Sequence, residues 1–275
     1  MSNKNGLKEI VKDVQSTFDD VALRYDTIKF FKISAAHIVS IINPIQAHKI
    51  LDVATGTGNV VIECAKALPN VQFDAIDISK GMIEVAKQKS ESLSNISFFI
   101  QDIEKLNMNK KYNIITCSYA LFFLPNPIDT LKILYTHLEK NGKLIFTSFV
   151  SEAFEPSKSI LLKLIKSYGI ETYEKSNDAD KWQELQTYHD IKYLCQKAEI
   201  TSFEMSTKEI GYPMNLNAWW DLNNDAGFRG MLMQLSHEDY EALKIKYYEE
   251  MKKHLDSNNE IKLVTDTHFC VITKV

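Results

Sequence analysis

Residues 50–59 read ILDVATGTGN, an apolar run that ends in two closely spaced glycines. The apolar run is typical of a buried strand, and the following NVVIECAKAL has helical spacing that places Val60, Cys64 and Ala67 on one face. Glycines between a strand and a helix permit a tight turn and a close approach of the backbone to a bound molecule. The stretch therefore predicts a strand–turn–helix unit of an open parallel sheet, with a ligand at the turn or with a plain turn and no ligand.

The alternation of predicted strands and helices continues for about a hundred residues. Further strands are predicted from VQFDAIDIS, ISFFIQD, YNIITCSY and GKLIFTSF, and further helices from KGMIEVAKQKSES and PIDTLKILYTHLEKNG, the latter closed by Gly142. Strands that alternate with helices indicate βαβ units around a parallel sheet. Near-continuous apolar runs such as IITC and LIFT favour strands that are buried on both faces.

The flanks divide the chain into three parts. Helical periodicity over residues 7–42 predicts N-terminal helices in 1–45, and the strand–helix core follows in 46–150. Residues 151–275 hold the rest of the sheet, with single strands predicted from ITSFEMSTKEIGYP and from the closing IKLVTDTHFCVITKV. Two helical insertions, 151–182 and 212–258, are expected to cap the carboxyl edge of the sheet, where shared scaffolds acquire specificity.

The amino-acid composition disfavours nucleic-acid binding, membrane-spanning and metal-binding classes of protein. The 275 residues carry a net charge of −4, are 45% hydrophobic and contain no Lys/Arg run longer than two, so nucleic acid is not an expected partner. No apolar stretch approaches the roughly 18–20 residues that span a bilayer, and the polar N-terminus has no signal-peptide core. The four cysteines lie far apart, without metal-ligand spacing. We expect a cytoplasmic globular protein with no metal and no membrane span.

Acidic residues follow the predicted strands. Asp77 closes the second strand, 19 residues after Gly58, where an acid in a nucleoside-binding sheet accepts hydrogen bonds from ribose hydroxyls. Its alternative role, capping the next helix, suits Ser79 better. Asp102 follows the third strand in the same register. The third glycine of a dinucleotide fingerprint is absent, because position 61 is Val, and this disfavours a nicotinamide cofactor.

Taken in order, ILDVATGTGN, AIDISKGMIEVAK, IQDIEKL and YNIITCSYALFFLPNP resemble the motifs of class I S-adenosylmethionine-dependent methyltransferases. The glycine motif and FDDVALRYD are most similar to the ubiquinone/menaquinone-biosynthesis type, also called methyltransferase type 11. The resemblance covers roughly residues 18–150 and the final strand. It implies a Rossmann-like α/β fold with a seven-stranded sheet whose last strand is antiparallel, and S-adenosyl-L-methionine as cofactor.

The resemblance also implies roles for individual residues. Asp52 and the backbone of 54–58 would hold the methionyl part, Asp77 both ribose hydroxyls, and Met82 or Ile78 the adenine. The implied cofactor contacts are Tyr25, Asp52, Ala54, Thr55, Gly56, Gly58, Asp77, Ile78, Met82, Asp102, Ile103 and Ser118. Met82 and Tyr25 are equally compatible with ordinary core positions.

The sequence has fewer motifs for the residues that would contact the methyl acceptor than for those that would contact the cofactor. A small-molecule methyl acceptor is expected to contact Tyr119, Phe122, Phe123, Trp219, Trp220, Phe228 and Arg229. No general base stands out: His189, Tyr188, His237 and Tyr212 are candidates by location only. The run Leu121-Phe122-Phe123 lacks the histidine that family members often carry there, which keeps a non-catalytic S-adenosylmethionine-binding protein open as an alternative. A nicotinamide-dependent oxidoreductase is the other alternative, and the insertions also leave a homodimer open.

Overall fold

A computed structural model describes residues 15–16, 18–19, 22–170, 184–225 and 228–275 of the chain. The strands are β1 (Lys49–Val53), β2 (Gln72–Asp77), β3 (Ile96–Ile100), β4 (Tyr112–Ser118), β5 (Leu138–Phe149), β6 (Phe203–Lys208), β7 (Gly211–Met214), β8 (Ile261–Val264) and β9 (Thr267–Thr273). The helices are α1 (Lys29–Ile42), α2 (Asn59–Ala67), α3 (Lys80–Lys89), α4 (Pro127–Thr136), α5 (Ser157–Ser167), α6 (Tyr188–Lys197), α7 (Leu216–Asp225), α8 (Arg229–Leu232) and α9 (His237–Met251). Short 3-10 turns cover Tyr25–Thr27, Ile103–Lys105, Leu121–Phe123 and Lys252–His254.

Seven strands form the main sheet in the order β3-β2-β1-β4-β5-β9-β6. Strands β1 to β5 are parallel to one another, whereas β9 runs antiparallel to both β5 and β6. Val53 is in register with Ile76 of β2 and Cys117 of β4, so the carboxyl ends of the central strands lie at one edge. The expected α/β fold, with seven strands and the last one antiparallel, is confirmed.

Neighbouring strand residues face opposite sides of the sheet and build two cores. Ile50, Ile114 and Ile145 belong to one buried cluster, and Leu51 and Ile115 belong to the other. Helices α1 and α2 cover the first cluster, and so do α5, α7, α8 and α9, which we call the cap. Within the cap, α9 packs against α5 and α7. The cap is therefore continuous with the first core.

Several predicted boundaries are wrong. Helix α4 ends at Thr136, and Leu138 already pairs with Tyr112 as the start of β5. Gly142 therefore lies inside a strand, where a Cβ atom would come within 2.9 Å of the carbonyl oxygen of Glu139. Ala67 is exposed at the end of α2, not on its buried face.

Two predicted single strands each divide into two. The segment 203–214 forms β6 and β7, and the closing segment forms β8 and β9. Ile210 lies between β6 and β7, and Asp266 lies between β8 and β9. The Asp266 side chain accepts a hydrogen bond from the Ile210 backbone N–H at 3.0 Å, which stabilises both interruptions. Strands β7 and β8 then pair with each other in a separate two-stranded sheet.

Parts of the predicted elements lie outside the described residues, namely the periodic positions 7–14 and the end of the first insertion from residue 171. None of the helices in the described ranges combines the length and the apolar character needed to cross a bilayer.

Candidate cofactor and acceptor site

The glycine turn connects β1 to α2 through three residues with left-handed backbone conformation. Ala54, Gly56 and Gly58 have φ angles of 51°, 55° and 80°, and the Thr55 N–H donates to the Ile76 carbonyl at 2.9 Å. A Cβ atom on Gly56 would meet nothing within 4 Å, whereas one on Gly58 would lie 2.9 Å from Ile62. Gly58 therefore serves helix packing, and Gly56 borders open space.

Asp52 is buried beneath this turn. Its carboxylate accepts hydrogen bonds from the hydroxyls of Thr55 and Thr116, each at 2.5 Å. Burial raises the pKa of Asp52 to about 6, although the two threonine hydroxyls act in the opposite direction. These contacts engage both carboxylate oxygens, so the observed role of Asp52 is to hold the turn against β4.

Asp77, at the end of β2, joins the turn to the next helix. Its Oδ2 accepts from the Gly56 N–H at 2.8 Å, and its Oδ1 accepts from the Ser79 N–H at 2.9 Å. A carboxylate offers about four lone-pair positions, so Asp77 keeps capacity for further donors. Burial raises the pKa of Asp77 despite these backbone donors. Ser79 caps α3, as expected, by accepting from the Met82 N–H at 3.0 Å.

A cavity of about 110 Å³, here called the first cavity, opens at the glycine turn and Asp77. Of the expected cofactor contacts, its wall contains Tyr25, Ala54, Gly56, Asp77, Ile78, Met82, Asp102, Ile103 and Ser118. Asp52, Thr55 and Gly58 are not on this wall. The wall also contains residues for which the sequence motifs indicate no cofactor contact: Phe18, Gln101, Glu104, Ala120, Leu124 and Pro125.

Asp102 also lies on the wall of the first cavity. Its carboxylate caps the turn at Ile103–Lys105 by accepting from the Glu104 N–H at 3.0 Å, and it pairs with Lys105 at 2.5 Å. The residues expected near an adenine are the acid Asp102 and the apolar Ile78, Met82 and Ile103, and the acid Glu104 lines the same cavity.

Hydrogen bonds and an ion pair hold the segment before α1 to residues beside the first cavity. Asp19 accepts hydrogen bonds from the Ser79 hydroxyl and, at 2.9 Å, from the Gly81 N–H. Asp26 accepts from the Thr57 hydroxyl at 2.7 Å and pairs with Lys89 at 2.6 Å. Burial opposes ionisation of Asp26, but the donors from Lys89 and Thr57 outweigh it and keep its pKa low.

A second cavity of about 290 Å³ adjoins the first. Both walls include four aromatic side chains, which we call the aromatic junction: Phe18, Tyr25, Tyr119 and Phe123. Tyr119 is stacked on Phe149 with ring centroids 4.4 Å apart, and its hydroxyl is within 2.8 Å of the Thr267 hydroxyl. The rest of the wall consists of Phe30, Phe31, Phe122, Phe149, Phe154, Lys158, Leu162, Glu184, Gln186, Leu222, Phe228 and Met231.

Of the expected acceptor contacts, the structure brings Tyr119, Phe122, Phe123 and Phe228 to the second cavity. Trp219, Trp220 and Arg229 are not on its wall, and the expectation that they approach the acceptor stays a prediction. Trp219 is fully buried, with its indole N–H donating to the Ile261 carbonyl at 3.3 Å. Trp220 packs between Tyr240 and Tyr247, with ring centroids 5.4 and 5.2 Å away.

A family model described as a methyltransferase domain matches residues 46–216, more than half of the chain. The chain belongs to this methyltransferase family. The resemblance read from the motifs is confirmed.

Relatives of this methyltransferase-family chain include named enzymes. It is 30% identical to a malonyl-[acyl-carrier protein] O-methyltransferase of Halalkalibacterium halodurans, over 60% of this chain and 66% of that one. It is 24% identical to a demethylmenaquinone methyltransferase of Staphylococcus epidermidis, over 65% and 78%. The matches to the first relatives span 66%, 54% and 41% of those proteins' lengths.

Solved structures share the fold of this methyltransferase-family chain at low identity. The YcgJ protein of Bacillus subtilis superposes with a TM-score of 0.56 at 16% identity, covering 88% of this chain and 97% of that one. The plantazolicin methyltransferase BpumL, in complex with SAH, gives 0.52 at 15% identity over 98% of each chain.

None of the candidate general bases of this methyltransferase-family chain lines either cavity. Tyr188 and His189 lie at the start of α6, His237 begins α9, and Tyr212 lies in β7. All seven histidines of the sequence fall within the described residues, and neither cavity wall includes one. His268, in β9, has its ring nitrogens 2.8 Å from the Thr207 hydroxyl and 2.9 Å from the Gln186 carbonyl oxygen.

The position of Trp219 in the cap core leads to a stability prediction. Trp219→Ala is expected to lower the free energy of unfolding by about 3–5 kcal/mol, because truncation of a fully buried aromatic side chain leaves a cavity. Urea unfolding checks the loss, and binding of S-adenosylhomocysteine to the folded variant is expected to be unchanged. A variant of normal stability with impaired acceptor turnover would restore the acceptor role of this residue.

Proposed function

We propose that this protein is an S-adenosyl-L-methionine-dependent methyltransferase that acts on a small-molecule acceptor. The observation that carries the proposal is the aromatic junction, through which the first cavity adjoins a larger apolar cavity. A binding protein without turnover needs only the first cavity. Two adjoining cavities supply separate places for a methyl donor and a methyl acceptor.

The first cavity fits S-adenosylmethionine by its chemistry. Asp77 has lone pairs left for ribose hydroxyls, Gly56 presents bare backbone to open space, and Met82 with Ile103 offers apolar surface to an adenine. The nicotinamide alternative needs a third glycine, and Val61 occupies that position as a buried residue of the core. These features support the methyl donor over the dinucleotide.

When bound, the cofactor supplies an activated methyl group on a positively charged sulfur. The residues of the chain then have positioning tasks. Asp77 and the glycine turn would fix the nucleoside and methionyl ends, and the aromatic junction would exclude water and align the acceptor. Alignment of two reactants is worth about 7–11 kcal/mol, enough to make positioning the main contribution of the protein.

Several relatives are named for a malonyl group on a carrier protein. In a variant of the proposal, the acyl end enters the second cavity while the carrier stays outside. The described wall is formed largely by phenylalanine, leucine and methionine side chains, and this supports a free apolar molecule as the first acceptor to test.

Calorimetry tests the donor half of the proposal. S-adenosylhomocysteine, the demethylated product, is expected to bind one per chain, and NADH is expected not to bind. Binding of NADH in place of S-adenosylhomocysteine would overturn the proposal. Transfer of labelled methyl from S-adenosylmethionine across an acceptor panel then separates an enzyme from a protein that only binds the cofactor.

A further inference from the structure

The second cavity is strongly apolar but has two charged side chains on its described wall. Lys158, in the first turn of α5, and Glu184 line it, and neither lines the first cavity. No ion pair within 4.0 Å joins these two side chains to each other or to other described residues. The part of the wall shared with the first cavity, the aromatic junction, is aromatic throughout.

The aromatic junction offers no base to the acceptor. Its hydroxyl groups belong to Tyr25 and Tyr119, and burial raises the pKa of both, that of Tyr119 to about 12. Both therefore stay protonated at neutral pH and do not take up a proton. An ordinary aryl hydroxyl or an alkyl ammonium group, with a pKa of about 10, would have to lose its proton before it could attack a methyl group.

From this geometry, and resting on the proposed function, we infer that the acceptor is an aromatic carboxylic acid of one or two rings, whose ionised oxygen is the nucleophile. A cavity of about 290 Å³ is about twice the ~150 Å³ that admits benzene. The carboxylate needs no base, because it is ionised above about pH 5.

The transfer balances without a proton. The carboxylate oxygen forms a bond to the methyl carbon while the carbon–sulfur bond breaks, and the electron pair of that bond stays on sulfur. The products are a neutral methyl ester and a neutral thioether. Because opposite charges are consumed, the water-poor aromatic junction favours this reaction over its course in water.

Lys158 offsets the cost of bringing an anion into the apolar cavity. It is the only cationic side chain among the described residues of that wall, and Glu184 on the same wall has the opposite effect on an anion. A buried charge without a partner is costly, so the affinity for an acid depends on the balance of these two side chains.

Binding of matched probes decides the inference, whether or not a probe is itself turned over. The probes are 2-naphthoate and 2-naphthol, which have the same two-ring body, titrated by calorimetry into the protein loaded with S-adenosylhomocysteine. We expect saturable binding of 2-naphthoate. Absence of that binding in protein that does bind S-adenosylhomocysteine overturns the inference alone, whereas failure to bind S-adenosylhomocysteine overturns the proposed function.

Charge variants test the role of the wall. Lys158→Met is expected to weaken 2-naphthoate binding about tenfold and to leave 2-naphthol unchanged, because only the acid loses an electrostatic partner. Glu184→Gln is expected to strengthen 2-naphthoate binding. Lys163→Met, an exposed lysine on the same helix α5, is the matched control and should change neither. Equal effects of Lys158→Met on both probes would contradict the inference.

Methyl transfer gives an independent readout. With labelled S-adenosylmethionine, transfer to 2-naphthoate is expected to exceed transfer to 2-naphthol and to 2-naphthylmethylamine, an alkyl amine, by at least about tenfold at neutral pH. With saturating S-adenosylmethionine, the rate with the acid should stay flat between about pH 7 and about pH 9, because the ionisation of the acid is complete throughout. Faster transfer to the naphthol or the amine overturns the inference.

Discussion

Gly56→Leu is expected to weaken binding of S-adenosylhomocysteine by more than about a hundredfold. The Cβ atom at this position meets no protein atom within 4 Å, so a leucine side chain would extend into the open space in front of the turn. Gly56 lines the first cavity, whose volume is only about 110 Å³. A side chain of four carbons there would occupy the volume that the proposed cofactor needs. Calorimetry with S-adenosylhomocysteine measures the loss.

Gly169→Leu is the matched control for this variant. Gly169 also has a positive φ, 77° against 55° for Gly56, and a Cβ atom there also meets nothing within 4 Å. Both substitutions therefore carry a backbone cost of about 1–2 kcal/mol for a left-handed residue. Both variants should lose similar stability in urea, and only Gly56→Leu should lose binding. A folded Gly56→Leu protein with normal affinity would show that the turn is shaped for geometry alone.

The parallel core and the first cavity are predictable from sequence because their signals are local. A strand, a glycine turn and a helix follow one another within 20 residues, and Asp77 ends the next strand along the chain. Once β1 and β2 pair in parallel, with Val53 opposite Ile76, the turn and Asp77 must lie at the same edge. No long-range information beyond that pairing is needed.

The second cavity is not predictable in this way. Phe30 and Phe31 come from α1, Phe149 from the end of β5 and Phe228 from the residue before α8. In the sequence each is an apolar residue among many, with the same periodicity as a core position. The adjacent tryptophans are the largest side chains of that segment and therefore suggest acceptor contacts, but both are buried inside the cap.

The anchoring of the N-terminal segment depends on distant partners as well. Asp19 and Asp26 belong to the FDDVALRYD motif, whose resemblance to known methyltransferases points only to Tyr25. Their hydrogen bonds reach Ser79, 60 residues away, and Thr57, 31 residues away. An acid with a remote partner has the same sequence signature as an acid exposed on a surface helix.

Boundary errors have a related cause. Helix propensity and spacing continue past Thr136 through LEKNG, but pairing with β4 takes residues from Leu138 onwards into β5. Tertiary pairing overrides local preference when the two compete over a few residues. The predicted elements of the core therefore exist, while several of their ends shift.

Asp77→Asn is expected to weaken S-adenosylhomocysteine binding about ten- to a hundredfold. The proposed ribose contacts are hydrogen bonds to a charged acceptor. Replacing the carboxylate by a neutral amide is expected to cost about 1.5–3 kcal/mol of binding free energy in total. The amide also replaces one acceptor oxygen by a donor, which would face the N–H of Gly56 or of Ser79. Calorimetry on the folded variant measures the loss.

Asp74→Asn separates this effect from general damage to β2. Asp74 lies three residues earlier on the same strand, is 7% exposed against 9% for Asp77, and accepts hydrogen bonds from Tyr112 at 2.7 Å and Lys110 at 2.9 Å. Its substitution should lower the free energy of unfolding by about 1–3 kcal/mol without lowering the affinity for S-adenosylhomocysteine.

Acidification gives a second test of Asp77. Because burial raises the pKa of Asp77, the cofactor affinity of the native protein should fall as this carboxylate takes up a proton. Asp77→Asn should lack that fall, and an equal fall in both proteins would assign the pH dependence to another group.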